Sequence, residues 1–113
     1  MKIESRAKLM TIYVNSKDQR HGKPLFAAIV ELCEQKGLAG VTVSRALEGY
    51  GAGHQLHAAH LLDLTENVPV RIEIIDVPER IEVLLTALDG LIGEGVVTAR
   101  DVVVRRYLAE PSA

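Results

Sequence analysis

An α+β sandwich, strand-helix-strand repeated twice around one core, is the fold class this sequence predicts. Three observations carry it: two amphipathic segments that each open at a proline, apolar strand-forming runs on either side of both, and a length of 113 residues. That length suffices for one compact core and is too short for two. A single domain spanning 1–113 is therefore expected, with 108–113 as a loose tail.

Leu9-Met10-Thr11-Ile12-Tyr13-Val14 is rich in strand formers and runs into the polar cluster Asn15-Ser16-Lys17-Asp18, which reads as a loop. Pro24 then opens a helix to about Lys36, since proline's missing N–H needs no partner at a first helical position. Leu25, Ile29 and Leu32 fall at helical spacing, Phe26, Val30 and Cys33 widen the apolar stripe, and Gly37 provides the stop. Val41 to Leu47 is the second strand, ended by the alternating glycines Gly49, Gly51 and Gly53. The stretch from His54 to Asn67 fits neither period and is expected to be a loop with some strand. Val70 to Asp76 alternates at its start as a third strand, and Pro78 opens a second helix. There Ile81, Leu84, Leu85, Leu88 and Ile92 mark one buried face, and Gly93-Glu94-Gly95 ends the helix. Val102 to Tyr107 is the last strand. Two right-handed β-α-β units joined in this way give a four-stranded antiparallel sheet with both helices on one face, the ferredoxin-like βαββαβ arrangement.

Such a sheet has a second face, and the first strand is apolar on both sides, Met10, Ile12 and Val14 against Leu9 and Tyr13. Burying a few such side chains at roughly 1.5–3 kcal/mol each favours self-association over exposure. The formal net charge of −2 gives no general attraction to nucleic acid, and no nucleic-acid partner is expected. The one cysteine, Cys33, sits among apolar residues and is expected to be buried. Met1 to Lys8 is charged and unlike a signal peptide, and no apolar run is long enough to cross a bilayer, so a cytoplasmic location is expected.

Gly37-Leu38-Ala39-Gly40-Val41-Thr42-Val43, followed by Gly49-Tyr50-Gly51, resembles the signature of the PII signalling proteins from the end of the first helix into the T-loop. The likeness continues through Pro69 to Ile74 and Ile92-Gly93-Glu94-Gly95. The opening Met1-Lys2-Ile3-Glu4, with Ala7-Lys8-Leu9 and Gly22-Lys23-Pro24-Leu25, is similar to the PII-like family catalogued as domain of unknown function 190. The resemblance implies a homotrimer with an adenine nucleotide in the clefts between subunits. It places Thr42, Gly49, Gly51 and Gly53 on the T-loop side of that cleft, and Gly93, Glu94 and Gly95 in the loop that meets phosphates. Arg105 and Arg106 stand in for late basic residues. PII proteins carry a lysine after their Gly-Asp-Gly loop where this chain has Val96. The candidate ligands therefore include AMP and cyclic AMP beside ADP and ATP. The resemblance further implies signalling through the 51–67 loop, with a membrane transporter as a candidate partner.

His54, His57 and His60 recur every third residue and form the rival signal, a metal-binding or metal-responsive trimeric module. A helix would spread these three positions around its surface and a strand would alternate their faces. No nucleophile-base pair or paired carboxylates stand at a meaningful spacing, so no catalysis is assigned.

Overall fold

The computed structural model describes residues 1–46, 48–50, 56–58 and 67–110, with 48–50 and 56–58 described as backbone only. In chain order come β1 (Lys2–Asn15), β2 (Gln19–Arg20), β3 (Lys23–Pro24), α1 (Leu25–Gln35), β4 (Val41–Arg45), β5 (Glu48–Tyr50), β6 (Leu56–Ala58), β7 (Pro69–Asp76), α2 (Pro78–Leu88) and β8 (Val96–Tyr107). One antiparallel sheet holds β4-β7-β1-β8 in that spatial order, while β2/β3 and β5/β6 pair as small hairpins. The ferredoxin-like architecture expected from the sequence is present.

Strand alternation decides what is buried. The register Met10↔Ile74, Ile12↔Ile72 and Val14↔Val70 gathers six apolar side chains on one face. Leu25, Ile29 and Cys33 of α1 and Ile81, Leu84 and Leu88 of α2 close over them. Each fully buried member contributes about 1.5–3 kcal/mol. The intervening residues Leu9, Thr11 and Tyr13 face the other way, opposite Ile75, Glu73 and Arg71. On that uncovered face Arg71 and Glu73 form an ion pair at 3.0 Å, and Tyr13 and Ile75 stay exposed.

The helix ends follow from local chemistry. Gly37 takes a φ of 71°, which glycine adopts without a steric penalty. Its N–H donates to Glu34 O at 3.1 Å, and the Leu38 N–H donates to Cys33 O at 3.0 Å, the paired bonds of a Schellman stop. Pro24 is the N-cap of α1 rather than its first residue, so the helix begins one residue later than expected. Pro78 does open α2. Before α1, His21 and Gly22 have φ of 52° and 77°. These values make the two-residue primed turn that matches the twist of β2 and β3.

Three sequence expectations are corrected. α2 ends at Leu88, well before Gly93-Glu94-Gly95, because Asp89 and Gly90 are poor helix formers and the chain turns there. Ile92 packs against the core from outside the helix. β1 begins at Lys2 and β8 at Val96, each about half a dozen residues earlier than their apolar runs indicated. No helix among the described residues is long and apolar enough to cross a membrane.

Candidate functional site

The chain leaves β4 and enters β8 at the same end of the sheet, where β1 finishes. There the connection across 47–66 leaves from firmly held feet. Ala46 N–H donates to Pro69 O at 2.9 Å. Ser16 N–H donates to Val68 O at 2.8 Å and its hydroxyl accepts from Val68 N–H at 3.0 Å. Lys17 N–H adds a bond to Asn67 Oδ1 at 3.1 Å. Past these feet the backbone pairs Glu48↔Ala58, Gly49↔His57 and Tyr50↔Leu56. Gly49 and His57 are thus opposite each other in a ladder. Gly51, Gly53, His54 and His60 lie outside the described residues.

Gly93, Glu94 and Gly95 are exposed and lead directly into β8. The two glycines differ. A Cβ on Gly95 would stand 3.0 Å from Tyr13 O and 3.2 Å from Val14 Cγ1, whereas one on Gly93 would meet nothing within 4 Å. The close approach of β1 leaves a side chain at Gly95 little room unless its neighbours give by a few tenths of an ångström, and Gly93 is not required by packing.

Thr42 is exposed on the uncovered face of β4, in register with Glu73. The sheet order puts it and Gly95 at opposite edges with β7 and β1 between them. Three strand spacings amount to about 14 Å. One copy of the chain therefore does not bring the T-loop side and the Gly93–Gly95 loop together.

Arg105 and Arg106 lie at the far end of β8, roughly 30 Å along the strand from Val96 at the usual rise per residue. Arg105 is engaged by Glu4, at 2.7 Å through Nε and 2.5 Å through Nη2, and its Nη1 donates to Tyr107 Oη at 3.4 Å. The Tyr107 hydroxyl, then the Glu4 carboxylate, raise its pKa above the ordinary arginine value. Arg106 is exposed and pairs in register with Ile3.

Two features were missed in the sequence. A depression of about 350 Å³ beside the loop feet is lined by Tyr13, Ser44, Arg45, Ala46, Pro69 and Arg71. Arg71 was legible there, since the alternation of its strand sends it to the uncovered face. Asp76 ends the central strand β7 and is buried. Its Oδ2 accepts from Ala39 N–H at 2.8 Å and its Oδ1 from Val77 N–H at 2.7 Å. Arg80, 3.8 Å from the same carboxylate, donates to Gly37 O at 2.7 Å. This cluster locks the turn before β4 to the start of α2. Glu73 is likewise on a central strand, paired with Arg71.

These elements define a PII-like fold, and comparison with solved structures bears this out. The ADP- and bicarbonate-bound CPII of Thiomonas intermedia K12 superposes with a TM-score of 0.69 at 21% identity, covering 90% of this chain and 91% of that one. A protein of Thermus thermophilus described as a putative PII-like signaling protein (TTHA0516) gives 0.61 at 22% identity, with 91% of each chain covered. The chain belongs to the family DUF190, Uncharacterized ACR, whose model matches residues 7–104. Among its relatives, a UPF0166 protein of Aquifex aeolicus (strain VF5) is 34% identical over 99 residues, 88% of this chain and 93% of that protein.

Proposed function

We propose that this chain is a PII-like regulator that assembles as a homotrimer and binds a small adenine nucleotide in the clefts between neighbouring copies. The carrying observation is geometric. Thr42 and the Gly93–Gly95 loop occupy opposite sheet edges, so a cleft containing both needs the β4 edge of one copy beside the β8 edge of the next. Glycine backbone can approach an anion closely, and Gly93 has the open surroundings for it. The ADP carried by CPII of the same fold supports the ligand class. Leu9, Tyr13, Ile75 and Val96, partly or largely exposed on the helix-free face, support burial against other copies.

Occupancy of the cleft is passed to a partner through the 51–67 loop, and a membrane transporter is the partner that the family resemblance favours. A nucleotide shifts such a loop only by its different affinity for the two loop states. Light scattering should return three times the chain mass of 12.3 kDa. Calorimetry with AMP, cyclic AMP, ADP and ATP should give heat with at least one, at one site per chain. A monomer at high concentration, or silence with all four nucleotides, overturns the proposal.

A further inference from the structure

Beyond Lys8 the sheet loses its third strand. Lys2 to Ala7 of β1 and Val102 to Tyr107 of β8 pair with each other, while the pairing of β1 with β7 begins only at Lys8. The result is a two-stranded arm, a structure that is marginal in water without a cover. Its tip at Tyr107 lies roughly 35 Å along the strand from Val96, so a partner on the arm leaves the Gly93–Gly95 loop free.

The arm is basic in a chain that is not. It holds the cations Lys2, Arg6, Arg105 and Arg106 and the single acid Glu4, whereas the formal net charge of the whole chain is −2. Glu4 is engaged by Arg105. Of the acids nearby, Glu110 is engaged by the Met1 amino group and Glu82 by Lys8, and Asp101 stands in register with Lys8 at the root of the arm. Among the described residues, the exposed side chains of Lys2, Arg6 and Arg106 have no ion-pair or hydrogen-bond partner.

Each of these free cations stands directly across the strands from an exposed apolar group. Lys2 is opposite Tyr107, Arg6 opposite Val103 and Arg106 opposite Ile3. Tyr107 is 74%, Val103 72% and Ile3 46% exposed. Alternation puts the first two couples on the side of Met10 and Ile12, beyond the reach of the core, and the third on the other side. A flat protein partner would cover one of those sides. A polyanion such as nucleic acid would meet the cations and leave the apolar groups in water. A fluid surface that is charged outside and apolar beneath accommodates both sides and both kinds of group.

We propose that the arm docks on an anionic lipid bilayer, with Tyr107, Val103 and Ile3 entering the headgroup boundary while Lys2, Arg6 and Arg106 meet lipid phosphates and carboxylates. Tyrosine favours that depth, and long basic side chains reach back from it to the charged layer. Attachment of this kind draws on buried apolar area and on attraction to anionic lipid together. It depends on neither the trimer nor the nucleotide, and several arms on one assembly would strengthen it.

Co-sedimentation of the full chain with vesicles tests it. The protein should pellet with equimolar phosphatidylcholine and phosphatidylserine and stay in solution with phosphatidylcholine alone. The double charge reversal Lys2→Glu and Arg6→Glu should lower the partition coefficient at least tenfold, and Val103→Ser with Tyr107→Ser at least threefold. Lys36→Glu and Val83→Ser, exposed positions off the arm, should leave it unchanged. The chain has no tryptophan, so Tyr107→Trp gives a single reporter whose emission should shift to the blue on the anionic vesicles and be quenched by brominated lipid. This reading needs no charge-reversed protein to fold. Absence of binding, or equal binding to both vesicle types, overturns the proposal and leaves the charges as a guard against edge pairing. Binding lost on charge reversal but indifferent to V103S/Y107S, or an unshifted Y107W emission, overturns it in favour of a polyanion such as nucleic acid.

Discussion

Replacing Gly95 and Gly93 separately by alanine distinguishes backbone packing from ligand approach. At Gly95 the new methyl would meet the Tyr13 carbonyl at 3.0 Å, Val14 Cγ1 at 3.2 Å and Ile92 Cγ2 at 3.3 Å. The oxygen belongs to the central strand β1 and cannot swing aside as a flexible side chain would. Overpacking of this kind costs about 1–3 kcal/mol. For a chain of this size, about 4 °C per kcal/mol gives a fall in Tm of roughly 4–12 °C. Gly93→Ala meets no atom within 4 Å and occupies no left-handed φ, so its stability should stay within about 0.5 kcal/mol of wild type. Thermal unfolding without ligand reads the first effect. Nucleotide calorimetry on the stable Gly93→Ala protein reads the second, and there a loss of affinity reports on the ligand alone. An unchanged Tm for Gly95→Ala refutes the close approach to β1. A fall in Tm for Gly93→Ala equal to that of Gly95→Ala refutes the division of roles.

Asp76→Ala removes the acceptor of two backbone N–H groups and the partner of Arg80, and should cost about 2–4 kcal/mol in urea unfolding, with Asp76→Asn costing less. Ile72→Ala, at a fully buried centre of the sheet, should cost about 2–5 kcal/mol by the same measurement. Burial pushes the Cys33 thiol up to about 11, so alkylation of the folded protein at pH 8 should be slow and should accelerate sharply on unfolding. Because the folded state holds that proton more tightly, the Cys33 contribution to stability is complete below the ordinary thiol pKa. It is lost as pH climbs toward 11, with a slope of at most about 1.4 kcal/mol per pH unit. Cys33→Ala should flatten that alkaline slope.

The apolar elements were legible because burial writes itself in periodicity. Ile81, Leu84 and Leu88 announced α2, Met10, Ile12 and Val14 announced the buried side of β1, and Gly37 announced the end of α1. The arm was not, because both of its sides are largely open and its strands need no apolar alternation. The regular charges Lys2, Glu4, Arg6 and Lys8 do carry the strand period, but as a polar pattern easily taken for a loop. Arg100 and Asp101 interrupt β8 in the same way. Asp76 could not be found by pattern at all. Its importance lies in receiving the Ala39 N–H from a segment 37 residues away, a contact that only the tertiary fold creates. The candidates Thr42 and Gly93–Gly95 were picked out one by one in the sequence, while their separation onto two sheet edges followed only from the strand order.

That division also constrains how a signal could leave the cleft. Ala46, Pro69, Ser16 and Val68 fix both feet of the 47–66 connection to the ends of central and edge strands. Asp76 and Arg80 hold the turn that leads into Thr42 from the opposite end of β4. A ligand at the β4 edge thus meets a strand clamped at both ends and gains little by moving the sheet. In the proposed assembly the remaining lever is the relation between that strand and the neighbour that would contribute Gly93–Gly95, together with the connection beyond Ala46. Moving a loop from one per cent to ninety-nine per cent in one state requires a roughly 10⁴-fold affinity difference between states. A single phosphate on one glycine turn is a small source for such a difference, whereas contacts made simultaneously to two copies are present only in the closed arrangement. Under the proposed function the regulated quantity is the fit between copies, and variants that loosen the β4–β8 edge contact should then weaken the nucleotide response even where no ligand atom is touched.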